Sequence, residues 1–161
     1  RLTGYKRPDL VVDAFRGLPY RLTVVGKGAM APALRARATP NVEFIDEVGE
    51  EELRELYRSA RAMIYPVDED FGIVMAEAQA CGTPVISIDA GGALDIVENG
   101  VTGWLMRGRG IRDLQMAVSH AAREDLDARE IRARAERFSS EAYRSALRDE
   151  VGDMIENPCP V

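Results

Sequence analysis

Histidine and cysteine are nearly missing from this chain: His120 is the sole histidine, and Cys81 and Cys159 are the two cysteines, in 161 residues. No His/Cys/Asp group has metal-ligand spacing, so no metal site is expected. Cys81 stands in an apolar run and reads as a small buried side chain. Cys159 stands in a Pro-flanked tail, so a disulfide between the two is not expected, and the count suits a reducing, cytoplasmic compartment. Nor is there a run near the ~20 apolar residues that cross a bilayer. A signal peptide, internal repeats and low-complexity segments are also lacking. Positive charge is in deficit, with 21 Lys and Arg against 27 Asp and Glu for a net charge of −6. Proteins that track a phosphate backbone carry the opposite excess, so nucleic acid is not an expected partner. A local basic site for one small phosphate ligand remains open. Methionine is missing from the first position: the chain opens on Arg1, inside a motif, and the expectation is a fragment or excised domain.

What is present suits one soluble globular domain. Hydrophobic residues make up 46% and charged residues 30% of the chain. A chain of this length buries roughly 68–70% of its unfolded surface. Helical and strand signals alternate. Residues 8–18 place Val11, Ala14, Phe15 and Leu18 at i, i+3, i+4 and i+7, with Pro8 suited to a first helical turn. Further helices are expected at 30–38, 50–60, 73–80, 94–98, 110–123, 127–137 and 140–156. The last has Tyr143, Ala146, Leu147, Val151, Met154 and Ile155 on one face. Strands are expected at 22–25, 41–45, 62–66, 85–88 and 103–106. This alternation predicts an α/β, Rossmann-like α/β/α sandwich with a parallel sheet over residues 1–156, and a frayed tail at 157–161. Ligands of such sheets sit beyond the carboxyl ends of the strands, which singles out the loops 26–30, 46–49, 66–73 and 89–93.

Four places in or beside those loops invite chemistry. Residues 26–31 read Gly-Lys-Gly-Ala-Met-Ala, a G-x-G-x-x-A turn after a strand, with Asp46 or Glu47 near ribose-binding distance. This is a generic phosphate-side loop or a dinucleotide (NAD) site. Residues 69–77, Glu-Asp-Phe-Gly-Ile-Val-Met-Ala-Glu, set Glu69 and Glu77 eight positions apart, one in a loop and one just over a turn into a helix. Gly72 admits a ligand close to the backbone, and the free amides near Phe71 to Val74 form an anion-ready helix start. Carboxylates beside an anion site suit hydroxyls of a sugar and a ribose; the plain alternative is Asp70 as a cap and Glu77 as an exposed helix residue. Arg1 and Lys6 flank a short turn and are surface charges or diphosphate clamps. Gly91-Gly92 marks a close backbone approach or a tight turn. His120 reads as packing or surface, not catalysis.

Taken in order, Arg1-Leu2, Tyr5-Lys6-Arg7-Pro8-Asp9, Val25-Gly26-Lys27-Gly28, Glu69-x7-Glu77 around Phe-Gly-Ile, Gly82-Thr83-Pro84-Val85-Ile86, Gly91-Gly92 and Asn99-Gly100-x-x-Gly103 resemble one known pattern. It is that of the C-terminal, donor-binding domain of GT-B-fold family-4 glycosyltransferases, most like bacterial and archaeal mannosyltransferases. The resemblance implies a retaining hexosyltransferase, with mannose the favoured sugar and a glycan or lipid the acceptor. It implies a GDP- or UDP-linked sugar as substrate and no cofactor or metal. Arg1 and Lys6 would hold the donor diphosphate, and Glu69 the transferred sugar. The amides of Phe71, Gly72 and Ile73 would meet sugar and phosphate, and Glu77 the ribose. Asp46 and Val48 would lie beside the base, and Gly26 and Gly28 at the cleft. The resemblance also implies a preceding acceptor-binding domain as partner, the one route to a membrane, without which the chain alone is expected to be inactive. A non-catalytic nucleotide-binding module and a GT-B nucleotide-sugar epimerase are the alternatives.

Overall fold

The computed structural model describes the backbone of residues 1–156 and the side chains of residues 1–152. The expected tail, with Cys159, and the side chains of Met154 and Ile155 lie outside the described residues. Strands and helices alternate as the sequence pattern demands: α1 (Pro8–Ala14), β1 (Leu22–Val25), α2 (Ala31–Arg37), β2 (Val42–Ile45), α3 (Glu50–Ser59), β3 (Met63–Tyr65), α4 (Ile73–Ala80), β4 (Val85–Ile88), α5 (Ala93–Ile96), β5 (Gly103–Met106), α6 (Ile111–Ala121), α7 (Ala128–Ala135) and α8 (Ser140–Glu156). Every pairing between strands is parallel. β1 pairs with β2, and β3, β4 and β5 pair in that order. This is the Rossmann-like α/β architecture anticipated from the sequence.

β4 shows why the layers stack as they do. All four of its residues are buried, as in a strand covered on both faces. Ile86 and Ile88 join Val12, Leu22, Leu34, Trp104 and Leu114, which brings α1, α2 and α6 onto one face. Val85 points the other way and joins Tyr65, Met75, Ala78 and Ile96, which brings α4 and α5 onto the opposite face. The period of two along the strand thus feeds two cores. Each large side chain taken from water there contributes roughly 1.5–3 kcal/mol.

The first helix departs from expectation. The apolar spacing predicts residues 8–18, but α1 ends at Ala14. Gly17 adopts φ +87°, a left-handed turn, and the amide of Asn41 donates to the carbonyls of Phe15, Leu18 and Tyr20 at 3.1, 3.1 and 2.8 Å. The side chain that precedes β2 therefore partners three carbonyls of the turn that follows α1. The expected helix 127–137 likewise stops at Ala135 and tightens into a 3-10 turn, Glu136–Phe138.

α4 closes as its sequence promised. Gly82 at φ +85° donates to the carbonyl of Gln79 (2.8 Å), and Thr83 donates to that of Ala78 (3.0 Å), a Schellman end. The Thr83 hydroxyl then reaches the carbonyl of Tyr57 at 2.6 Å and ties α3 to the same corner. Cys81 is half-buried rather than buried. No described helix is long and apolar enough to cross a membrane.

Candidate functional site

The carboxyl ends of the parallel strands carry most of the residues singled out from the sequence, and three sets of contacts join them. The first set lies at β1 and β2. The amide of Leu2 donates to the carbonyl of Lys27 at 2.8 Å, and the amide of Gly26 to that of Ile45 at 2.8 Å. Arg1 and Leu2 therefore run beside the Gly26–Met30 turn, with Arg1 exposed. Gly28 has a packing reason: a Cβ there would collide with the Leu2 backbone. The acidic pair after β2 is already engaged, Asp46 with Arg35 and Glu47 with Lys27. Val48, next along, is half-buried.

The second set bridges the two sheets. The 3-10 turn Gly4–Lys6 carries Lys6 to the end of β3, where its ammonium donates to the Tyr65 hydroxyl at 3.1 Å. That hydroxyl in turn donates to Oε2 of Glu69. The hydrogen bond to Tyr65, with the nearby Glu69 carboxylate, raises the Lys6 pKa above the ordinary lysine value. Burial, then the bond to Glu69, raises that of Tyr65 against the opposing pull of Lys6. Lys6 thus stays cationic and Tyr65 neutral through neutral and mildly alkaline pH. Sequence reasoning paired Lys6 with Arg1 and passed over Tyr65. The available signal was a hydroxyl in an otherwise apolar strand, four residues before Glu69.

The third set fixes the loop 66–72. Gly92 donates its amide to the carbonyl of Glu69 at 2.8 Å. A Cβ on Gly92 would strike the Phe71 backbone, and one on Gly91 would come within 2.6 Å of the Glu69 carbonyl. The two glycines therefore serve a close approach between two loops of the chain itself. Asp68 anchors the same loop to Arg109, after β5, at 3.1 Å.

At the end of that loop Gly72, at φ +81°, is the N-cap of α4, and no side chain caps the helix. The amide of Met75 donates to the Gly72 carbonyl at 2.9 Å, while those of Ile73 and Val74 have no partner among the described residues and suit an anion. Asp70 is not the cap that the plainer sequence reading supposed. Glu77 is exposed, as that plainer reading held. It lies near Tyr57, whose pKa is pushed up to about 12 by burial first and then by the Glu77 and Cys81 charges. Phe71 and Ile73 are 48% and 61% exposed and line an open groove of about 740 Å³ with Phe138, Ser139 and Tyr143. Phe71 meets Phe138 edge-on at 5.9 Å.

His120 lies away from these loops, exposed, with Glu124 at 2.7 Å and the Trp104 ring edge-on. Among the described residues no three His, Cys, Asp or Glu side chains gather as a metal site.

The strand ends thus bring together a cation, a carboxylate held by Tyr65 and, three residues on, a helix start that no side chain caps. Proteins of similar sequence include a D-inositol 3-phosphate glycosyltransferase of Rhodococcus erythropolis, 34% identical over 157 positions, covering 86% of this chain and 36% of that protein. Another, of the same description from Mycobacterium tuberculosis, is 33% identical over 138 positions, covering 76% and 28%. The chain therefore spans about a third of the length of these relatives. Among solved structures, Anabaena HepE with UDP and glucose superposes with a TM-score of 0.81 at 23% identity, over 94% of this chain and 46% of that one. A glycosyltransferase of Rickettsia africae gives 0.79 at 18%, over 99% and 47%. At these identities the superpositions speak for the GT-B-type Rossmann-like fold. Residues 1–143 match the family described as glycosyl transferases group 1, and the chain belongs to that family.

Proposed function

We propose that this chain is the C-terminal, donor-binding domain of a retaining hexosyltransferase of the family-4 kind, acting on a nucleoside-diphosphate sugar. The observation that carries the reading is the Lys6–Tyr65–Glu69 chain of hydrogen bonds, a few residues before the uncapped start of α4. A cation and free amides on one side suit a leaving diphosphate. A carboxylate on the other suits the hydroxyls of the sugar being transferred. Arg1, beside the Gly26 turn, is the second cation, and its exposed guanidinium, without a partner among the described residues, suits bidentate contact with phosphate. The amides of Phe71, Gly72 and Ile73 face the sugar and phosphate, and exposed Glu77 accepts from the ribose. Asp46 and Val48 border the base. With two cations and a helix start to stabilise the departing charge, no metal or cofactor is needed for the proposed step.

Mannose is the sugar favoured by the resemblance of the stretch Glu69–Ala80 to mannosyltransferases, and the donor is GDP- or UDP-linked. UDP is the nucleotide named with HepE, and the curated relatives are named for D-inositol 3-phosphate as acceptor. Both nucleotides are therefore candidates, with a glycan, lipid or polyol acceptor held by a preceding domain. α8 supports a two-domain protein: Tyr143, Leu147 and Val151, one turn apart, are 67%, 49% and 46% exposed, an apolar stripe open for a neighbour. The proposed setting is the cytoplasm, with membrane contact made through the other domain.

Calorimetric titration of the chain with UDP, GDP, GDP-mannose and NAD tests the reading. Binding of one nucleoside diphosphate, weakened in Glu77→Ala, supports it. Binding of NAD alone transfers the site to the Gly26–Ala31 turn and overturns it.

A further inference from the structure

This inference rests on the donor-site reading above. Lys6 and Glu69 sit on separate segments with opposite charges, and the ion pairs at the strand ends join Arg109 to Asp68 and Lys27 to Glu47, not these two to one another. The Tyr65 hydroxyl stands between them, accepting from Lys6 and donating to Glu69. Its ring cannot drift. Tyr65 is 8% exposed, packed with Val67 and Met75, and its own carbonyl accepts from the buried Ser87 hydroxyl at 2.7 Å.

A direct ion pair would draw the ammonium onto the carboxylate and occupy both. A neutral phenol gives each charge one hydrogen bond and leaves two ammonium protons and one carboxylate oxygen free. We propose that Tyr65 is a positioning residue of the transfer site: its anchored hydroxyl holds the Lys6 ammonium and the Glu69 carboxylate apart, each oriented for the donor, and prevents their collapse into an ion pair. Removing the hydroxyl lets the two charges meet, so the diphosphate must first break a salt bridge and the sugar loses a fixed acceptor. The upward pKa displacements of Lys6 and Tyr65 agree, since both groups keep their protons in this arrangement.

The test is Tyr65→Phe in the full-length protein that carries this chain, with UDP-glucose and GDP-mannose as probes and release of the nucleoside diphosphate as readout. Loss of one charge-assisted contact is expected to lower kcat about tenfold and to raise the donor KM about threefold. Because the ring stays in the core, the melting temperature is expected to change little. A kcat and KM both within about twofold of the parent overturn the proposal, since a difference that small removes no charge-assisted bond.

A second measurement needs no turnover. In ¹³C-tyrosine-labelled chain the Tyr65 resonance is expected to titrate above the ordinary tyrosine value. Its midpoint falls in Glu69→Gln and rises in Lys6→Met. A packing role alone gives no such opposed displacements, and a midpoint unmoved by both substitutions overturns the proposal. A parent protein that neither binds nor releases UDP or GDP overturns the donor-site reading, and this proposal with it. An active parent matched by Tyr65→Phe overturns the role of Tyr65 alone.

Discussion

The amide of Gly92 donates to the carbonyl of Glu69 at 2.8 Å, so the loop carrying the central carboxylate hangs from the loop after β4. Glu69 owes its place to that bond, to Tyr65 on its side chain, and to the Asp68–Arg109 pair beside it. Two neighbouring strands of the parallel sheet thus position one functional group between them.

Gly92→Ala should therefore damage function more than its size suggests. A Cβ there meets the Phe71 backbone, which has no flexible end to swing aside. A loss of about 1–3 kcal/mol in stability is expected from the overpacking. Donor affinity should also fall, as residues 69–72 move with the loop. Denaturant melts and UDP or GDP titration check both, and an unchanged affinity would separate the loop from the site.

Lys6→Ala should weaken binding of the nucleoside diphosphate by about 1.5–3 kcal/mol, the worth of a hydrogen bond to a charged group. The pH dependence has a fixed sign. The Lys6 pKa is raised, so its charge, and any stability it lends, is fully present below the ordinary lysine value and is lost only as pH rises through the higher folded one. Affinity measured from neutral to mildly alkaline pH should show no loss traceable to Lys6. A fall centred well below the ordinary lysine value would contradict this.

Tyr57 predicts an alkaline weakness in the fold. Its phenol is held neutral up to about 12 in the folded chain, against an ordinary value of 10.0. Between those values the unfolded chain has lost the proton and the folded chain has kept it, so stability falls as pH rises above the lower one. Melting temperatures followed across this range should drop, and Tyr57→Phe should remove part of the drop. An equal decline in both proteins would place the cause elsewhere.

Asn41→Ala should cost about 1–3 kcal/mol, because it strips a partner from partly buried carbonyls. The three carbonyls, of Phe15, Leu18 and Tyr20, shape the turn that follows α1. Urea unfolding measures the loss. A change below a few tenths of a kcal/mol would mean that water takes over all three bonds.

The sequence by itself determined the order of elements and the parallel α/β layering. These follow from local properties: apolar period, β-branched runs, and glycines that must turn. Gly82 and Thr83 closed α4 through bonds to Gln79 and Ala78 in its own last turn, which the local sequence encodes. Local reasoning ran out where a distant partner intervened. The turn after α1 is held by Asn41, from just before β2, a partner that no spacing within residues 8–18 encodes. Gly28 and the Gly91-Gly92 pair carry signals that fit a ligand approach as well as a packing contact. Only the fold showed the Leu2 and Phe71 backbones lying against Gly28 and Gly92. Tyr65 is the clearest case. In sequence it is a strand residue among apolar neighbours, and in space it joins Lys6 to Glu69. A hydrogen bond between residues 59 positions apart leaves no periodic trace, so its existence was decided by tertiary structure alone.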